Sequence, residues 1–139
     1  MGAKTICFSF VAGMLLAVSH PAVAGVPDDV KSDFAKAVYS GSPELVHNRN
    51  PQPLLRAVIV LNVKLDEGDH WRAEVLRTND EQPEMLARAI ETVRRANSIP
   101  LSDEAKAELK RNGLIEAWLF DNDGSFQVKT LAKAQRMGQ

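Results

Sequence analysis

Between residues 54 and 96 the hydrophobic positions recur first every second residue and then every third or fourth. Residues 54–66 (LLRAVIVLNVKLD) place Ala57, Ile59, Leu61, Val63 and Leu65 on one face and Val58, Val60, Asn62 and Lys64 on the other. That period is a strand with one buried side. Glu67-Gly68-Asp69 predicts a tight turn, with Gly68 at the residue of positive φ. Residues 70–78 (HWRAEVLRT) run back, with Trp71, Ala73 and Val75 alternating against Arg72, Glu74 and Leu76. Pro83 then opens a helix in which Leu86, Ala89, Ile90 and Val93 form the inward stripe. A two-stranded hairpin is marginal in water, so the helix is expected to cover the apolar face of the sheet.

The flanks extend this layer. Pro27-Asp28-Asp29 starts a helix with acids at its positive end, Val30, Phe34, Ala37 and Val38 as its stripe, and Gly41 as its stop. Ser42-Pro43-Glu44 suggests one further helical turn. His47 to Pro53 is a polar connector whose prolines permit only an edge or an extended lead-in. Beyond the central helix, Ser102 caps a short helical piece that ends at Gly113. That piece could be a loop insertion. Residues 114–120 (LIEAWLF) read as a third strand, Asn122-Asp123-Gly124 as a hairpin turn, and residues 125–131 (SFQVKTL) as a fourth strand. The expected fold class is α+β. It has two layers, a β-β-α-β core, an extra N-terminal helix, a small helix before the third strand and a C-terminal hairpin strand.

The first 24 residues change the picture. Lys4 precedes an apolar run of about thirteen residues, and Pro21-Ala22-Val23-Ala24 supplies a small-x-small site. This predicts a secretory signal peptide cleaved after Ala24 and a periplasmic protein that does not span the membrane, since a spanning helix needs about 20 residues. The expected organisation is a leader over 1–24, an N-terminal helix and connector over 25–50, an α+β domain over 51–131 and a flexible tail over 132–139. The single cysteine, Cys7, falls in the leader, so disulfides, thiol nucleophiles and thiolate ligands are not expected afterwards. The net charge of −1 argues against a partner bound through nucleic-acid phosphates.

The sequence offers little catalytic chemistry. His47 and His70 could pair with Asp66, Glu67 or Asp69 around a metal, but their spacing matches no ligand motif. Asp121 to Ser125 resembles the start of a calcium loop without its later ligands, and a hairpin explains the same residues. Ser42, Ser98, Ser102 and Ser125 have neither a nucleophile-elbow context nor an evident His-Asp pair. No enzyme activity, cofactor or metal is expected. Trp71 and Trp118 could be opposite or diagonal to each other. If the side of Glu116, Trp118 and Phe120 faces solvent, those three form an exposed stripe with Lys64, Arg72, Glu74 and Arg77 around it.

The whole pattern resembles a known family. Pro51-x-Pro53, Val58-x-Val60, Asp66-Glu67-Gly68, Ala73-x-Val75, Thr78, Pro83 to Met85, Ala89-Ile90, Val93, Arg94-Arg95 and Pro100 are similar to the C-terminal domain of TonB and its TolA-type relatives. The closing strand matches residues 115–120, and the resemblance covers roughly residues 50–131. It implies a domain of the Gram-negative periplasm that binds outer-membrane transporters by adding a peptide strand to a sheet edge. The chain departs from the family in having a cleavable leader in place of an anchor and no proline-rich linker. A free-standing module is therefore expected, with the last strand as its binding edge: Phe126, Gln127, Val128 and Lys129, beside Glu116, Trp118 and Phe120. The expected partner is an envelope protein or peptide, with a transporter one candidate, and the same edge could also pair with itself in a homodimer. The alternative expectation is a small periplasmic enzyme or a ligand or metal carrier with its site between sheet and helices.

Overall fold

The computed structural model describes residues 25–51, 54–79 and 81–133. The expected leader, Gln52 and Pro53 of the connector and most of the expected tail lie outside the described residues. The elements run α1 (Asp28–Gly41), β1 (Ala57–Leu65), β2 (Trp71–Arg77), α2 (Pro83–Arg95), α3 (Asp103–Arg111), β3 (Leu114–Phe120) and β4 (Phe126–Val128). Short 3₁₀ turns sit at Pro43–Leu45 and Lys129–Leu131. The strands form one antiparallel sheet in the order β2-β1-β3-β4, which bears out the α+β class.

The period-two pattern of β1 sets the layering. Ala57, Ile59, Leu61, Val63 and Leu65 are all buried, while Val58, Val60, Asn62 and Lys64 keep exposure on the opposite side. On β3, Trp118 lies opposite Ile59, and Phe120 opposite Ala57. Helices cover this face. Phe34 of α1 meets Trp71 with ring centroids 4.8 Å apart. Met85, Ala89, Thr92 and Val93 of α2 are buried, so its inward stripe is rotated from the expected one and leaves Leu86 and Ile90 at its margin. The small helix α3 belongs to the core, because Leu109 is fully buried. Ser102 caps it by accepting the Ala105 N–H at 3.1 Å.

Two glycines are explained by close approach. A Cβ on Gly41 would lie 2.4 Å from the Arg95 carbonyl oxygen, so a larger residue would push the end of α1 off the end of α2. Gly113 has φ +76, and its Cβ would meet the Val63 carbonyl at 2.6 Å where α3 turns into β3. The β1–β2 turn differs from expectation. Positive φ falls on Asp69 (φ 60), not Gly68. The Asp66 carboxylate organises the turn by accepting the N–H groups of Gly68 and His70, each at 2.9 Å. β2 also bulges. Val60 pairs with Arg77 and Leu61 with Val75, so Leu76 is the extra residue; Val75 keeps the face of Trp71 and Ala73 but is 44% exposed at the sheet margin. The fourth strand is shorter than expected, since Lys129 already enters the 3₁₀ turn.

Candidate functional site

In a one-layer sheet, unpaired backbone is found at the two outer margins. The margin expected to be free is closed. Val46 forms a parallel bridge with Phe126, and the His47 N–H donates to the Phe126 carbonyl at 2.8 Å. Residues 46–49 thus form a strap along β4. The Gln127 amide donates to the carbonyls of His47 (2.9 Å) and Arg49. Lys133 reaches the Asn48 carbonyl at 2.8 Å. On the same margin the Val128 N–H donates to the Tyr39 hydroxyl at 3.1 Å. Burial pushes the Tyr39 phenol above its ordinary pKa.

The expected binding residues are correspondingly placed. Trp118, Phe120, Phe126 and Val128 are fully buried, Gln127 is 3% exposed, and only Lys129 stands in solvent. The face of Glu116, Trp118 and Phe120 is the core, because β3 pairs with β1 in the register that aligns their interior positions. Trp71 and Trp118 share that face but are separated by β1, so they are neither opposite nor diagonal. Lys64, Arg72, Glu74 and Arg77 belong to other surroundings. Lys64 pairs with Glu74 at 3.3 Å, and Arg72 with Asp66 at 2.8 Å.

Glu116 is a buried carboxylate with a structural explanation. Its Oε1 accepts the N–H of Ala117 (3.0 Å) and of Thr130 (3.3 Å), and its Oε2 accepts the Thr130 hydroxyl. β4 ends at Val128, and this carboxylate continues the edge where the strand stops. A cleft of about 510 Å³ lies beside it, lined by Asp28, Lys31, Ile115, Ala117 and Lys129 among others.

The strap brings together a serine, a histidine and an aspartate that the sequence left apart. His47 Nδ1 lies 3.0 Å from the Ser125 hydroxyl and 3.1 Å from Asp121 Oδ2. Ser125 in turn donates to Asp123, whose carboxyl is held below the usual range by that hydroxyl. A proton relay needs the hydroxyl and the carboxylate on opposite ring nitrogens. Here both contact Nδ1, while Nε2 has no hydrogen-bond partner among the described residues. This arrangement fastens the strap to the β3–β4 turn. His70 lies at the other side of the sheet, on the β1–β2 turn, 3.4 Å from Asp66. Among the described residues, no group of three or more His, Cys, Asp or Glu could hold a metal ion. No helix among them is long and apolar enough to cross a membrane.

The opposite margin is open. β2 is the terminal strand of the sheet, seven residues long, and among the described residues its only strand partner is β1. Val75 and Leu76 are 44% and 52% exposed along it. A cleft of about 310 Å³ adjoins its first residues and is lined by His70, Trp71, Arg72, Arg94, Ala96 and Ser98. Trp71 anchors this end by donating its indole N–H to the Asn97 carbonyl at 3.2 Å. Sequence alternation alone could not single out this edge, because strand order is a tertiary property. No family model, no curated protein and no solved structure matches the chain, so the open margin of β2 is identified on its own geometry.

Proposed function

We propose that the protein is a secreted, periplasmic protein-binding module that captures an extended segment of an envelope protein by strand addition to the outer edge of β2. The observation that carries this reading is the seven-residue edge, unpaired among the described residues, with apolar Val75 and Leu76 exposed along it. Strand addition draws affinity from backbone hydrogen bonds and specificity from side chains at alternate positions. The leader pattern supports export. The resemblance of residues 50–131 to the TonB C-terminal domain supports strand capture and makes a segment of an outer-membrane transporter the first ligand to try.

The test is a photo-crosslinker at Arg77, on the outer edge, and another at Lys129, on the strapped side, each in cells producing the protein. Adducts to an envelope protein from Arg77 and not from Lys129 are expected. A synthetic peptide of the crosslinked segment should bind, and Val75→Pro, which deletes one edge N–H, should abolish binding. Adducts arising only from Lys129, or a peptide indifferent to Val75→Pro, would overturn the proposal.

A further inference from the structure

The outer edge of β2 is complementary to itself. The Asp66 N–H donates to the His70 carbonyl at 2.9 Å, and the ladder continues with Lys64 opposite Arg72 and Asn62 opposite Glu74. Backbone bonding alternates along an antiparallel pair. Arg72 and Glu74 therefore turn their backbone groups toward β1, and Trp71, Ala73 and Val75 turn theirs outward. A second copy related by a two-fold axis must bond through those outward groups.

Charge then selects the register. With the axis at Ala73, Arg72 of each copy stands opposite Glu74 of the other. These are the non-hydrogen-bonded positions, where opposed side chains come closest. An axis at Arg72 sets two arginines together, and an axis at Glu74 sets two glutamates together; like charges directly opposite are destabilising. Axes at Trp71 or Val75 run into the turn or the Leu76 bulge. Arg72 is already fixed by Asp66 at 2.8 Å, and Glu74 by Lys64 at 3.3 Å. Across the joint the row Asp66, Arg72, Glu74, Lys64 then alternates in sign.

We infer that β2 pairs with β2 of a second copy in this register, joining the two sheets into one. The pairing uses the same edge as the proposed peptide capture but does not depend on that capture. Sedimentation equilibrium of the purified protein over a concentration series tests it. A monomer–dimer equilibrium is expected. Arg72→Glu alone and Glu74→Arg alone should each weaken it about tenfold or more, because two attractive pairs become repulsive. The double variant Arg72→Glu/Glu74→Arg restores opposite signs and should restore the dimer, which also shows that the single variants did not lose it by misfolding. A monomer at every concentration, a dimer indifferent to the single changes, or a double variant that stays monomeric would overturn the inference. Peptide capture is read separately, from the Arg77 crosslink in the single variants, whose edge a second copy no longer occupies, so either idea can fail alone.

Discussion

At the scale of single residues, the interior holds polar groups whose partners are remote in sequence. Thr92 is fully buried on α2; its hydroxyl donates to the Ala89 carbonyl at 2.7 Å and accepts the Trp118 indole N–H at 2.9 Å. Thr92→Val keeps the shape and strips the acceptor, leaving a buried donor unmade. The expected loss is about 1–3 kcal/mol in urea unfolding followed by tryptophan fluorescence. Combining it with Trp118→Phe should cost less than the two single losses added, since the orphaned donor is then gone. Such pairs were not legible in the sequence. Thr92 sits where helical spacing asks for an apolar residue, and its partner lies 26 positions away. Whether Glu116 faces solvent or core is likewise not decided by the sequence, because Thr130, which satisfies it, is on another element.

At the scale of elements, hydrophobic period was a good guide and turn chemistry a poorer one. All five expected inward positions of β1 are buried, since a nine-residue run with one apolar face has a single stable orientation. The sequence points to Gly68 as the residue that makes the β1–β2 turn, but the Asp66 carboxylate organises it. The Asp66 pKa is lowered from 3.8 to about 2, chiefly by the His70 N–H, then by the Arg72 guanidinium and the Gly68 N–H. A depressed carboxyl stabilises the folded hairpin above its unfolded pKa, and that contribution fades as pH falls from about 3.8 toward 2. A carboxyl NMR titration should place the Asp66 midpoint near the lower value. In Asp66→Asn, the part of the acid-induced loss within this window should vanish. A midpoint at the ordinary aspartate value would contradict the turn geometry.

At the scale of the whole molecule, the margin that the sequence points to as free, that of β4, is the one that is strapped, and β2 is the open margin among the described residues. The sequence shows that a fourth strand follows Asn122-Asp123-Gly124, but nothing local shows that residues 46–49 return to lie along it. The start of the connector lies along β4 through His47, next to the bridging Val46, while Gln52 and Pro53 fall outside the described residues. Gln127→Ala removes the amide that holds the strap through the carbonyls of His47 and Arg49. The expected result is faster hydrogen exchange at the His47 amide, which bonds to Phe126, and earlier proteolysis in residues 46–50. Global stability should fall by about 1–4 kcal/mol, the net worth of the amide's three hydrogen bonds, the Lys133 N–H to its oxygen included. Unchanged exchange at His47 would mean that the strap is held by other contacts.

The bond from Gln127 to His47 spans 80 positions. Closing so wide a loop costs chain entropy before any contact rewards it. The strap at residues 46–49 therefore cannot be fastened until β4 has been made, although β2, β1 and β3 can already pair. Late closure of this kind leaves the β4 margin open while the polypeptide is being made, which would suit the export proposed above.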